Sequence, residues 1–383
     1  MNYSKAFYFF FYGASSVLIP FLTLYYESRG LSGRQIGILS GIVPIVTLIS
    51  ASLWGAIADA TQRHKAILMM GIVCTWFSVL AISRAQTFAQ LVPIVVVYAF
   101  FFSPIVPLVD NSVVALLGSE KQGYGRIRVW GSYGWGIIAL TAGYVLDWAG
   151  LSWLFIAYLA IFACLIWVAI QLPIQPAELA GTFRSGFGML MRNRPWILFL
   201  LVALAGGMSL SLFLNFLFLY LDKTMGASGP ILGYSLTLST ISEVPIFLLS
   251  QRMLKRWNTQ LLIGIALFAF IVRAFAYVMM TAPWQVLPIS LLHGPSFAVM
   301  WLAGVQYADD IAPAGLGATA QGMFGGVVMG LGSALGALIG GVLYDSNPVA
   351  VFAWAGWLSL GALLLFVFAN RRSFRQALAR PVG

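Results

Sequence analysis

The feature that most constrains this 383-residue chain is a recurrence: runs of apolar residues long enough to cross a bilayer, separated by short polar gaps. About 20 apolar residues wound as a helix span the roughly 30 Å hydrocarbon core. The runs fall at 3–27, 35–58, 66–83, 88–117, 125–147, 151–171, 196–221, 230–250, 259–281, 284–307, 316–344 and 348–370. They predict an all-α membrane protein of twelve transmembrane helices, because a helix satisfies its own backbone polar groups where water is absent. Charged residues make up 8% of the chain against 61% hydrophobic, and mean hydropathy is +0.92. That is too little charge to cover a water-soluble surface.

The gaps carry the orientation. The longest, 172–195, holds Pro173, Pro176, Glu178, Arg184, Arg192 and Arg194. It predicts a central cytoplasmic loop between an N-terminal six-helix bundle (1–171) and a C-terminal one (196–370), with 371–383 as a cytoplasmic tail. With the N-terminus inside, sixteen Lys and Arg residues fall on the cytoplasmic side and four (Arg29, Arg34, Arg84 and Lys223) on the other, which places both termini in the cytoplasm. The net charge of +10 is spread over these gaps and not gathered on one soluble face, so no nucleic-acid partner is expected. Cys74 and Cys164 lie inside apolar runs, far apart, and read as small packed residues. The first run, after Lys5, is too long for a signal-peptide core and is expected to stay as the first helix.

The two halves echo each other. Residues 21–37 (FLTLYYESRGLSGRQIG) resemble 216–233 (FLFLYLDKTMGASGPILG), pairing Tyr25 with Tyr220, Glu27 with Asp222 and Gly37 with Gly233. GYVLD at 143–147 matches GVLYD at 341–345, with Gly134 and Gly332 at the same offset. A duplicated helical unit marks many secondary transporters, whose substrate sites lie near the bilayer midplane.

An ionisable side chain at that depth costs about 2.5–3.5 kcal/mol on insertion scales and marks function by default. In the first half Asp110 lies nine residues before a turn centred near Ser119 and Arg128 nine after, so an antiparallel hairpin sets them at similar depth and able to pair. Trp135, seven beyond Arg128, shares its helix face. An arginine fork beside an aromatic plate suits a sugar ring or an aromatic substrate, while a structural ion pair is the plainer alternative. In the second half Glu243, Arg273 and His293 fall on three successive helices: an acid, a permanent cation and a group titrating near neutral pH. They are candidates for proton coupling, with a structural pair and a packed histidine as alternatives.

Between helices two and three, GAIADATQRHK (55–65) offers Asp59 and Arg63 as a conformational latch. The glycines at 131–136 and 322–341 read as close-packing surfaces. No phosphate loop, metal-ligand cluster or nucleophile–base pair is legible, so no cofactor, no metal and no enzyme activity are expected.

GAIADATQRHK resembles the loop motif of the major facilitator superfamily, with Gln62 where that motif has its second glycine. FFFSPIVPLVD (100–110) with YGRIRVWGS (124–132) is similar to the group of phenylpropionate, nucleoside and lactose proton symporters. The resemblance covers nearly the whole chain. It implies the major facilitator fold and alternating-access import of a small sugar or aromatic carboxylate with protons, in a cell membrane or bacterial inner membrane, with a nucleoside importer or an exporting antiporter as alternatives. Substrate binding would fall to Asp110, Arg128, Trp135, Arg273 and His293, and proton coupling to Glu243, His293 and Asp110. The acid of the lactose branch three residues after its helix-ten histidine is replaced by Ser296, which shifts the expected proton site towards Glu243. The implied partners are the small-molecule substrate, protons and membrane lipids, and the chain is expected to be a monomer.

Overall fold

A computed structural model describes residues 2–117, 124–174, 188–313 and 316–371. The turn around Ser119, most of the central loop and the tail from 372 lie outside the described residues. Among the described residues, eleven helices are long and apolar enough to cross a membrane. They are α1 (Asn2–Ser28), α2 (Gly33–Thr61), α3 (His64–Arg84), α4 (Phe88–Leu117), α6 (Leu151–Gln171), α7 (Arg194–Thr224), α8 (Gly229–Leu248), α9 (Thr259–Val278), α10 (Pro283–Ile311), α11 (Thr319–Ser346) and α12 (Pro348–Ala369). A further long helix, α5 (Tyr124–Ala149), falls outside that set because its glycines and ring residues lower its apolarity. No strand is found among the described residues.

Short polar residues start these helices. Ser32 and Thr87 form capping boxes with Gln35 and Gln90, and Asn193, Asn258 and Asn347 accept first-turn N–H groups. Each satisfies backbone donors that the helix leaves unpaired. At the α2–α3 turn Gln62 takes a left-handed conformation, φ +54°. This is the position at which the family motif carries glycine, and the chain makes the turn without it. Just beyond, Lys65 Nζ donates to the carbonyls of Ala169, Ile170 and Leu172, clamping the last turn of α6.

Contacts sort the chain into two units: Met1–Ala180 with Gly226–Thr237, and Gly181–Met225 with Leu238–Gly383. The opening turns of α8 thus pack with the first unit, where Asp147 Oδ1 accepts from Gly229 N at 2.6 Å, and the rest packs with the second.

Inside each unit the repeat reappears as contact geometry. A Cβ on Gly134 of α5 would collide with the carbonyl of Phe9 in α1. A Cβ on Gly332 of α11 would stand 3.1 Å from the carbonyl of Leu204 in α7. One turn along, the small partner changes sides: Gly13 of α1 receives Ile138 of α5, whereas Gly336 of α11 lies under Met208 of α7. Both pairings let backbones approach, as small residues do in membrane helices. The glycine surface is not uniform, since Gly322 has open space around it.

Candidate functional site

The close approach of α1 to α5 brings tyrosines onto the charges of the first unit. Tyr8 and Tyr12 lie four apart and so share one face of α1. Tyr8 Oη donates to Asp110 Oδ1 at 2.5 Å, and Tyr124, the first residue of α5, also hydrogen-bonds Asp110. Arg128 donates from Nη2 to the Tyr12 hydroxyl, and its guanidinium lies 4.1 Å from the Tyr12 ring centroid and 5.3 Å from that of Tyr8. Asp110 and Arg128 are therefore neighbours, as their hairpin spacing predicts, but among the described residues no ion pair joins them. The phenols of α1 are bonded to each charge in place of the other. Both side chains remain half-buried, and Arg128 keeps N–H donors not used by Tyr12. Trp135 is half-buried on the same helix and makes no cation–π contact with Arg128 among the described residues.

The charges of the second unit form a chain. Arg273 (3% exposed) and His293 (8%) are buried, with Nη1 to Nδ1 at 2.8 Å, and His293 Nε2 meets Glu243 Oε1 at 2.8 Å. Arginine has no acceptor, so Nδ1 must accept from it. The imidazole is then neutral, its proton is on Nε2, and Nε2–H donates to Glu243. Glu243 and Arg273 therefore do not pair directly: the histidine lies between them and links their charges. Tyr277, four residues after Arg273, accepts from Nε at 3.0 Å, and Phe213 offers its ring face at 4.8 Å. Ser296 Oγ lies 3.5 Å from Arg273 Nη1 and donates to Leu292 O at 2.7 Å. Ser242 fixes the register: its Oγ accepts from Gly294 N at 2.8 Å, and a Cβ on Gly294 would collide with the Ser242 carbonyl.

The residues considered as a latch are not joined to each other. Asp59 Oδ1 is 3.0 Å from His64 Nε2, while Arg63 is exposed. His64, at the start of α3, meets Asp59 because its short ring reaches back five residues across the turn.

The tyrosines are what sequence reasoning missed. The signal was present, since Tyr8 with Tyr12 and Arg273 with Tyr277 are each four apart, but apolar flanks hid it. No group of three or more His, Cys, Asp or Glu residues able to hold a metal occurs among the described residues.

Known proteins resemble this chain over nearly its whole length. The maltose permease of Geobacillus stearothermophilus is 28% identical over 369 residues, covering 95% of this chain and 93% of that one. A protein of Escherichia coli (strain K12) described as a "Probable 3-phenylpropionic acid transporter" is 27% identical over 365 residues, covering 94% of each chain. The crystal structure of the nucleoside transporter NupG superimposes with a TM-score of 0.82 at 19% identity, covering 98% of this chain and 100% of that one, a likeness of fold. The MFS_1 like family matches residues 2–354, nearly the whole chain. The chain therefore belongs to the MFS_1 like family and is a multi-pass membrane protein of the major facilitator superfamily.

Proposed function

We propose that the protein is a proton-coupled symporter, importing a small sugar or aromatic carboxylate by alternating access, and not an enzyme. The observation that carries this reading is the chain Arg273–His293–Glu243, built of ionisable groups at membrane depth where they are costly to place. The permanent cation holds the imidazole neutral, so a proton arriving at the chain has one ready acceptor, the Glu243 carboxylate. Protonated Glu243 loses its attraction for the Arg273 charge, which supplies a difference between loaded and empty states for the conformational cycle to use. Asp110, Arg128 and Trp135 bind the substrate, with Tyr8 and Tyr12 holding the first two in place. The names of the two relatives, a maltose permease and a 3-phenylpropionic acid transporter, support the two substrate classes.

In this reading α5 is the twelfth crossing, both termini are cytoplasmic and the bundles 1–171 and 196–370 are the moving halves. The protein works as a monomer, with lipid and protons as its other partners. Purified protein in proteoliposomes tests it: an imposed inward proton gradient drives accumulation of maltose or 3-phenylpropionate in the wild type. Accumulation indifferent to the gradient would refute coupling.

A further inference from the structure

Flat rings line up along the two turns of α10 that follow His293. Phe297 stacks on the His293 imidazole with centroids 5.3 Å apart and planes 26° apart, and Trp301 follows at 6.2 Å. The spacing is i, i+4, i+8, which sets three rings in one stripe. The stripe has a firm back: Trp301 rests on Phe324 of α11 at 5.4 Å, and Phe324 is fully buried. Its front is open, because Phe297 and Trp301 stay half-exposed while Ala298, Val299 and Met300 between them are buried.

An open apolar face on a membrane helix ordinarily meets lipid. Here its neighbour argues against that. The Glu243 side chain is 21% exposed, and a carboxylate facing hydrocarbon is so costly that this exposure marks a polar, water-accessible space. Phe297 is stacked on the histidine that Glu243 holds, and so borders the same space. The backbone is also special on both sides of the stripe. α10 widens into a π turn over Gly294–Ala298, and α11 does so over Gly326–Gly332, just after Phe324. Such turns recur at functional sites.

We infer that Phe297 and Trp301 form the stacking wall of the substrate site, and that the wall selects a planar aromatic ring, a phenyl group or a nucleobase, with its edge towards Glu243 and His293. This rests on the transport reading above and narrows it. Aromatic rings gain from offset or edge-to-face contact with tilted plates, by about ten-fold in affinity per ring. A sugar meets the same plates with C–H groups only.

The test needs a reporter that leaves both rings in place. A Cβ at Gly325 would lie 3.7 Å from Trp301 Cη2, an ordinary contact, so Gly325→Cys in a Cys74→Ala/Cys164→Ala background places a thiol at the wall. A water-soluble maleimide is expected to label it, and 3-phenylpropionate or uridine to slow labelling about ten-fold, the two compounds separating phenyl from nucleobase. Maltose, without an aromatic ring, is expected to leave the rate unchanged. Adding Trp301→Leu should abolish the protection and Trp301→Phe should retain most of it. A thiol that stays unlabelled, maltose protecting as well as both aromatic compounds, or neither aromatic compound protecting would each overturn the proposal. Proton coupling is read separately, as gradient-driven accumulation in Glu243→Gln, so either idea can fail while the other stands.

Discussion

In the first unit Asp110 and Arg128 are each bonded to a tyrosine of α1, whereas in the second Glu243 and Arg273 are joined through His293. A phenol hydroxyl gives each charge a hydrogen bond without neutralising it, and the side chains stay half-open. That arrangement suits a ligand that comes and goes. An imidazole between an arginine and a carboxylate does something else: it makes one hydrogen-bonded row, from buried Arg273 and His293 to half-buried Glu243, in which a change at Glu243 is felt at Arg273. In the proposed function the same residue types serve as a binding surface or as a proton site according to what lies between the charges.

The sharpest way to break this comparison is to neutralise one carboxylate in each unit. Glu243→Gln should lower gradient-driven accumulation by about 100-fold or more while substrate exchange stays within about three-fold, as expected when a proton-transferring group is removed. Asp110→Asn should show the opposite pattern, with affinity falling about ten-fold and coupling stoichiometry unchanged, read from proton and substrate fluxes in the same vesicles. If both variants lose coupling equally, the division of labour is wrong.

Smaller changes sharpen it. Arg128→Lys should weaken binding about ten-fold, since a lysine ammonium cannot donate to Tyr12 and lie flat on its ring at once. Tyr12→Phe keeps the ring face and removes the hydroxyl, so its cost should be about three- to ten-fold in affinity, in line with a modest net hydrogen bond to a charged group. Ser296→Ala should change uptake less than about two-fold, because its 3.5 Å contact to Arg273 is long and its hydroxyl is already donated to Leu292 O.

Much of this was legible in the sequence, for identifiable reasons. The spans follow from hydropathy, and the position of Asp110 beside Arg128 follows from equal distance to a turn. The repeat predicts that Gly134 and Gly332 play like roles, and both lie against the backbone of the first helix of their unit. What stayed hidden depends on which side chain reaches a neighbour first. Nothing in the spacing of Asp110 and Arg128 says that α1 comes close enough to place Tyr8 and Tyr12 on them. That depends on a missing Cβ at Gly134, and in the sequence such a glycine signals only close packing. Likewise the order Arg273–His293–Glu243 needs the register that Ser242 and Gly294 set between α8 and α10.

The central claim is that the row ending at Glu243 takes up the coupled proton. Its most direct test is the pH change in a weakly buffered solution of purified, detergent-solubilised protein when a saturating substrate is added, comparing wild type with Glu243→Gln. With 3-phenylpropionate as substrate, the wild type should take up protons on binding and Glu243→Gln should take up none while still binding. Equal proton uptake in the two proteins would contradict the account.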